Sequence, residues 1–206
     1  HEVFLMEAFM YRCHPQTAKI LEIIRSKVLG EVRVIQSHFS FNFGDQPENI
    51  RSKRSMSGGG IMDVGCYAMS LSRLIAGAAL GMDGPAEPIE VKGTAHIQPP
   101  GDVDTWAAAV LKFPGDILAN LSCGMQVSVS APTTVWGSKG HLVIPNPWFA
   151  GRTAEAAKLE IWLDGKSKPK IVSAPGKQDL YTIEVDTVVR DLKRGQSSSP
   201  VMSWND

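Results

Sequence analysis

Between Ile89 and Ala174 the chain repeats one pattern: short runs rich in β-branched and aromatic residues, each closed by a turn. The runs are IEVKGTAHI, DTWAAAVLKF, DILANLSCGM, TTVWGSKGHLVI, KLEIWLD and KPKIVSA. The connections FPGD and DGKSKP carry the Pro, Gly and Asp that hairpin turns require. Consecutive strands joined by short turns pair antiparallel. Upstream, VRVIQSHFSFNF alternates, with Ile35, Ser37, Phe39, Phe41 and Phe43 on one face and Gln36, His38, Ser40 and Asn42 on the other. It reads as a strand with one packed and one polar face.

Helical periods flank these strands. In HPQTAKILEIIRSKVLG, Thr17, Ile20, Leu21, Ile24 and Val28 share a face, Pro15 suits the first turn and Gly30 the C-terminal end. Tyr181, Val185, Val188 and Leu192 mark a last helix closed by Gly195. The opening VFLMEAFMYR reads as a buried strand ending near Arg12, and Glu7 inside it requires partners. The expected fold is α+β, a mostly antiparallel, open-faced sheet with helices packed on one face.

The segment SGGGIMDVGCYAMSLSRLIAGAALG raises the functional question. Ile61, Val64, Ala68, Leu71 and Ile75 recur at helical steps and line one face. Asp63, Tyr67 and Ser70 fall on a neighbouring strip, at the edge of the buried zone, where a pocket forms. Gly58, Gly59 and Gly60 permit positive φ or the close approach of a ligand, which places them at the pocket rim. The same residues also suit a plain loop, with Asp63 serving the helix dipole.

Bulk properties narrow the function classes. Lys plus Arg equals Asp plus Glu, 21 against 21, so no net field recruits nucleic acid or an anionic membrane. The basic groups Arg51, Lys53 and Arg54 read as a solvated face. No apolar run approaches the roughly 20 residues of a membrane-spanning helix. Cys13, Cys66 and Cys123 lack any short pairing and suit reduced thiols in a cytoplasm, and the five histidines show no metal-ligand spacing. No cysteine lies in a nucleophile motif beside a matched histidine, which argues against a thiol hydrolase.

EAFMYRCHPQ, LGEVRVIQSHFSF, SGGGIMDVGCYAMSLSRLIAG and GQSSSPVMSWND, in that order and spacing, resemble the C-terminal domain of the Gfo/Idh/MocA oxidoreductases. GGG followed by DVGCY is similar to the branch that includes glucose-fructose oxidoreductase, dihydrodiol dehydrogenase and xylose dehydrogenase. The resemblance implies that residues 1–12 are the last strand of a Rossmann domain. Residues 13–206 would then be the substrate-binding and oligomerisation domain, ending before the final family helix.

No G-x-G-x-x-G follows a strand here, and the family's lysine-bearing motif would lie upstream of Val3. The resemblance therefore implies an NADP- or NAD-dependent parent enzyme whose cofactor this fragment does not bind tightly, and a fragment that is inactive alone. It implies hydride exchange with a sugar-like, polyhydroxy or diol substrate, with Tyr67 and Asp63 catalytic and Arg12 and Asp63 binding substrate. A homodimer or homotetramer would form through the open sheet, since Trp106, Ala108 and Val110 on one parity and Ala107, Ala109 and Leu111 on the other are all apolar. The alternative is a non-catalytic sugar- or cofactor-sensing module that dimerises through that sheet.

Overall fold

The structure, a computed structural model, describes residues 3–99, 102–152, 156–176, 178–203 and 206. Helix α1 spans Met10–Cys13 and α2 spans Pro15–Arg25. The His14 ring caps α2, its Nδ1 accepting the Gln16 amide at 3.1 Å, and Pro15 occupies the first turn, where no amide hydrogen is missed. Strand β1 is Val32–Ser40, and α3 is Cys66–Ala79. Seven strands follow: β2 Glu90–Gln98, β3 Val103–Lys112, β4 Leu118–Gly124, β5 Thr133–Gly137, β6 Gly140–Ile144, β7 Ala157–Leu163 and β8 Lys170–Ala174. Helix α4, Leu180–Lys193, comes last.

The eight strands form one sheet in the order β2-β3-β4-β1-β5-β6-β7-β8. Only β1 and β4 pair parallel; every other neighbour is antiparallel. The fold is therefore the expected α+β class. TTVWGSKGHLVI, read as one run, is two strands joined at Gly137–Gly140. Ile20, Ile23 and Ile24 of α2 and Ala68, Leu71 and Ile75 of α3 pack on Ile35, Leu111, Ala119, Val135, Leu142 and Leu159 of the sheet to form the core. The opposite face carries Val34, Trp106, Val110 and Leu118, all exposed; cross-strand pairing sets Val34 beside Leu118, and Trp106 and Val110 share one parity of β3.

Four sequence expectations change. Residues 3–9 hold no regular structure and 10–13 turn into α1, so the run expected as a strand does not form one within this chain; residues 1 and 2 lie outside the described residues. A strand exists only by pairing, and within this chain neither sheet edge, β2 or β8, pairs with it; the partners expected for it belong to a Rossmann sheet rather than to this one. Its backbone bonds go to the C-terminal segment and to local turns instead: Leu5 donates to the Ser197 carbonyl at 3.0 Å, Phe9 to that of Glu7 at 2.8 Å and Arg12 to that of Phe9 at 2.8 Å.

Helix α2 stops at Arg25, and Gly30 closes the turn beyond it rather than the helix. Helix α4 forms where its period indicated but buries its other side. Leu180, Thr187 and Asp191 face inward, while Tyr181, Val185 and Leu192 are exposed. Polar anchors set that orientation: Asp179 caps the first turn, and the fully buried Asp191 carboxylate receives Ser199 Oγ at 2.6 Å and Arg190 Nε at 2.8 Å.

The start of the site helix is also irregular. Ile61–Gly65 forms a π-turn before α3 begins, and widening the turn shifts the register. Val64, Ala68, Leu71 and Ile75 are buried as their spacing requires, but Ile61 stays 47% exposed. The three glycines in front explain themselves by close packing. A Cβ on Gly58 would collide with the Arg51 carbonyl, and Gly59, at φ +120, would meet the Asp104 carboxylate. The Gly59 amide donates to the Arg51 carbonyl at 2.9 Å, and Asp104 Oδ2 accepts the Ile61 amide at 2.6 Å.

Gly58→Ala should therefore lower stability by about 1–3 kcal/mol, the usual cost of overpacking. Gly84→Ala, where a Cβ meets nothing within 4 Å, should stay within about 0.5 kcal/mol of wild type. Urea denaturation of the two variants checks this, and equal losses would contradict it.

Candidate active site

Asp63, Tyr67, Ser70 and Arg73 follow one another at helical steps along the π-turn and α3, and all four line one cleft of about 640 Å³. Leu5, Glu7 and Phe9 form one wall, and Met202, Ser203 and Asp206 of the C-terminal segment form another. Met62, Cys66 and Met69 supply apolar surface between the polar groups. Glu7, expected to be semi-buried, is exposed at this wall, where water satisfies the carboxylate. Gly58–Gly60 are not among the lining residues: their space is filled by Arg51 and Asp104.

Tyr67 stands in an aromatic box. Its ring stacks on Phe9 at 4.4 Å, and Phe39 and Trp148 meet it edge-on at 5.3 and 6.0 Å. The ring is thereby fixed, while its hydroxyl makes no hydrogen bond among the described residues. Burial pushes the phenol up to about 12, and Cys66, Glu184, Tyr181 and Asp63 add to the rise. A phenol held there is protonated near neutrality and donates a hydrogen bond. It becomes a base only beside a cation that lowers it.

Asp63 is mostly covered, with 20% of its side chain exposed, and its Oδ2 accepts from Arg51 Nε at 2.9 Å. Arg12 is buried rather than open to the cleft. Its Nε and one Nη donate to the Val201 carbonyl at 3.0 and 2.7 Å, the other Nη reaches Ser70 Oγ at 3.2 Å, and Asp206 Oδ1 lies 2.8 Å away. Tyr11 Oη also donates to Ser70 Oγ, at 2.8 Å. Arg12 thus meets the cleft through Ser70 and Asp206.

Burial pushes the Asp206 carboxyl up, but the Arg12 guanidinium beside it more than offsets this and leaves it below its usual value. Arg73 pairs with Glu87 and donates to the Asp206 carbonyl, an ion-pair former that nevertheless lines the cleft. Sequence reasoning missed three contributors: Arg51, taken for part of a solvated cluster, Asp104 and Asp206. Only the glycine triplet signalled that something must pack closely there. Among the described residues no cluster of three or more His, Cys, Asp or Glu could hold a metal ion, all three cysteines are free, and no helix is long and apolar enough to cross a membrane.

Comparison with known proteins agrees with this architecture. The family profile described as "GFO/IDH/MocA C-terminal domain" matches residues 17–143. The chain is 32% identical over 195 residues to a Haloferax volcanii protein named D-xylose 1-dehydrogenase (NADP(+)) 2, covering 95% of the chain and 56% of the relative. It is 28% identical to human trans-1,2-dihydrobenzene-1,2-diol dehydrogenase, over 97% of the chain and 57% of the relative. The chain therefore spans a little over half the length of these relatives. Among solved structures, an aldose-aldose oxidoreductase from Caulobacter crescentus complexed with glycerol superposes at TM-score 0.78. It is 23% identical, over 98% of this chain and 57% of that one, a likeness of fold.

The buried hydroxyls and thiols also set an alkaline limit. Burial pushes Tyr11 and Tyr67 up to about 12, and Cys66 and Cys123 up to about 11. Each group keeps its proton in the fold at a pH where the unfolded chain has lost it, so their stabilisation is full below about 9 and is lost as pH rises toward 12. The thermal midpoint should fall across that window. Two of the three tyrosines should show phenolate absorbance only near 12 or on unfolding; ionisation of all three near 10 in an intact fold would contradict this.

Proposed function

This chain belongs to the GFO/IDH/MocA family, and we propose that it is the substrate-side domain of an oxidoreductase acting on a sugar-like, polyhydroxy or diol substrate with NADP or NAD. The observation that carries this reading is a fixed tyrosine, its hydroxyl without a hydrogen bond among the described residues, four residues from an acid, in one cleft. When bound, the nicotinamide accepts or delivers the hydride. The residues of this chain fit the substrate rather than the dinucleotide: the glycine-rich turn that heads the site helix is filled by a carbonyl and by the Asp104 carboxylate, which would repel a pyrophosphate.

In the reductive direction the substrate carbonyl carbon gains hydride, and its oxygen gains the Tyr67 proton. Tyr67 Oη then recovers a proton from solvent or from a neighbouring acid. The reverse reaction returns the substrate hydroxyl proton to a tyrosinate, which requires a cation outside this chain beside the Oη. Asp63 accepts hydrogen bonds from substrate hydroxyls and fixes their orientation. Arg12 contributes to substrate binding by holding Ser70 and Asp206 in the cleft wall. The Met and Phe side chains cover the carbon skeleton and exclude water.

In the full-length protein, assayed with NADP and a panel of aldoses and diols, Tyr67→Phe should lower kcat by about 100-fold or more, the range expected for a proton-transfer group. Unchanged turnover would contradict the assignment. The isolated chain should show neither turnover nor micromolar binding of NADP or NAD by calorimetry.

The open sheet face supports a second part of the proposal, a dimer or tetramer formed through it. Val34 and Leu118, a cross-strand pair, and Trp106 and Val110 along β3 are all exposed on this face, together with the stacked His96–Trp106 pair and the Trp136–His141–Trp162 row. Large apolar side chains exposed on an open sheet face mark an interaction surface. Light scattering at micromolar concentration should report a dimer or tetramer that Trp106→Glu dissociates. A monomeric wild type would contradict it.

A further inference from the structure

The loop between β1 and the glycine turn, residues 41–57, has no long element of its own, yet its backbone is closely held. Phe41 and Phe43 donate to the carbonyls of Gly124 and Met125 at 2.9 and 3.1 Å. Asn49 Oδ1 accepts the Arg51 amide at 3.0 Å, Gly58 donates to Lys53 at 3.0 Å and Gly59 to Arg51 at 2.9 Å. The Arg51 backbone is therefore gripped from both sides. Its side chain starts from a fixed point and ends on Asp63, Nε to Oδ2, at 2.9 Å.

Asp63 needs such an anchor because of where it sits. It lies within the π-turn, where the backbone departs from regular helix spacing. Its neighbours four residues away are Gly59, which has no side chain, and Tyr67, whose hydroxyl makes no hydrogen bond among the described residues. No group on its own helix orients the carboxylate. An exposed ion pair between two mobile side chains stabilises little. Here the arginine backbone is fixed and the aspartate is mostly covered, so less freedom is lost when the pair forms and a planar guanidinium sets direction as well as charge. Contact through Nε also leaves the terminal amino groups without partners among the described residues.

We infer that Arg51 is a positioning residue for Asp63, and that loop 41–57 is consequently part of the active site. The inference rests on the function proposed above. Arg51 need not touch substrate. It holds the Asp63 carboxylate in the one orientation in which the remaining oxygen meets the substrate hydroxyl, and its loss leaves an acid that is present but misaimed.

The test is a double-mutant cycle in the full-length protein with NADP, using whichever aldose or diol of the panel turns over fastest. Arg51→Met should lower kcat about tenfold, with the thermal midpoint within about 2 °C of wild type. Asp63→Asn should lower kcat at least as far, and adding Arg51→Met to it should cause no further loss. Arg51→Lys, which keeps the charge without the planar fork, should recover part of the rate and provides the comparison if Arg51→Met folds poorly.

Full additivity of the two losses, a rise in KM with kcat unchanged, or wild-type kcat in both Arg51 variants would overturn the inference. If Arg51 fails in one of these ways while Asp63→Asn and Tyr67→Phe remain impaired, the proposed function stands without it. If neither Asp63→Asn nor Tyr67→Phe affects turnover, the functional reading falls and this inference with it.

Discussion

The bond from the Ile61 amide to the Asp104 carboxylate, 2.6 Å long, joins the site helix to the sheet. The first amides of a helix have no partner within it. Here the partner is a side chain from β3, 43 residues away in sequence, and an anion at that end also complements the helix dipole. Because the carboxylate must approach the backbone itself, Gly59 and Gly60 stand where any larger residue would meet it. Because the Arg51 carbonyl occupies the other side, Gly58 has no room either. The triplet is a packing solution, and the π-turn it introduces places Asp63 and Tyr67 in the cleft.

A second constraint acts from below. Arg12 and Asp206, each with a side chain 5% exposed, form an ion pair whose desolvation is offset only because the remaining donors are also satisfied, by Val201 and Ser70. The result ties the C-terminal segment to α1 and to α3 at once. Asp206 then accepts from the Ser203 amide at 2.8 Å and from its hydroxyl at 2.9 Å, which keeps that wall of the cleft in place. Removing Arg12 would leave a buried carboxylate unpaired.

The parts of this arrangement readable in sequence are those set by local period. Val64, Ala68, Leu71 and Ile75 repeat at helical spacing and are buried; Asp63, Tyr67 and Ser70 occupy the adjacent strip and line a common cleft. The strand runs and their turns were equally legible, since alternation and turn chemistry are short-range signals. What period could not reveal depends on partners outside the helix itself. Ile61 is turned out by a capping group on β3, Arg12 is drawn inward by residues 201 and 206, and α4 presents Asp191 to the interior because Ser199 waits there. Its apolar stripe, the stronger signal in sequence, faces outward. Arg51 looked like one of three solvated cations because nothing local to it announces Asp63.

The central claim is that a substrate oxygen meets Tyr67 Oη in the cleft between α3 and the C-terminal segment. A crystal structure of the full-length protein with NADP and a bound polyol substrate or analogue tests it most directly. The account predicts the reacting oxygen at hydrogen-bond distance, about 2.6–3.2 Å, from Tyr67 Oη, with Asp63 on an adjacent hydroxyl. A substrate bound elsewhere, with the Tyr67 hydroxyl turned to a protein carbonyl, would contradict it.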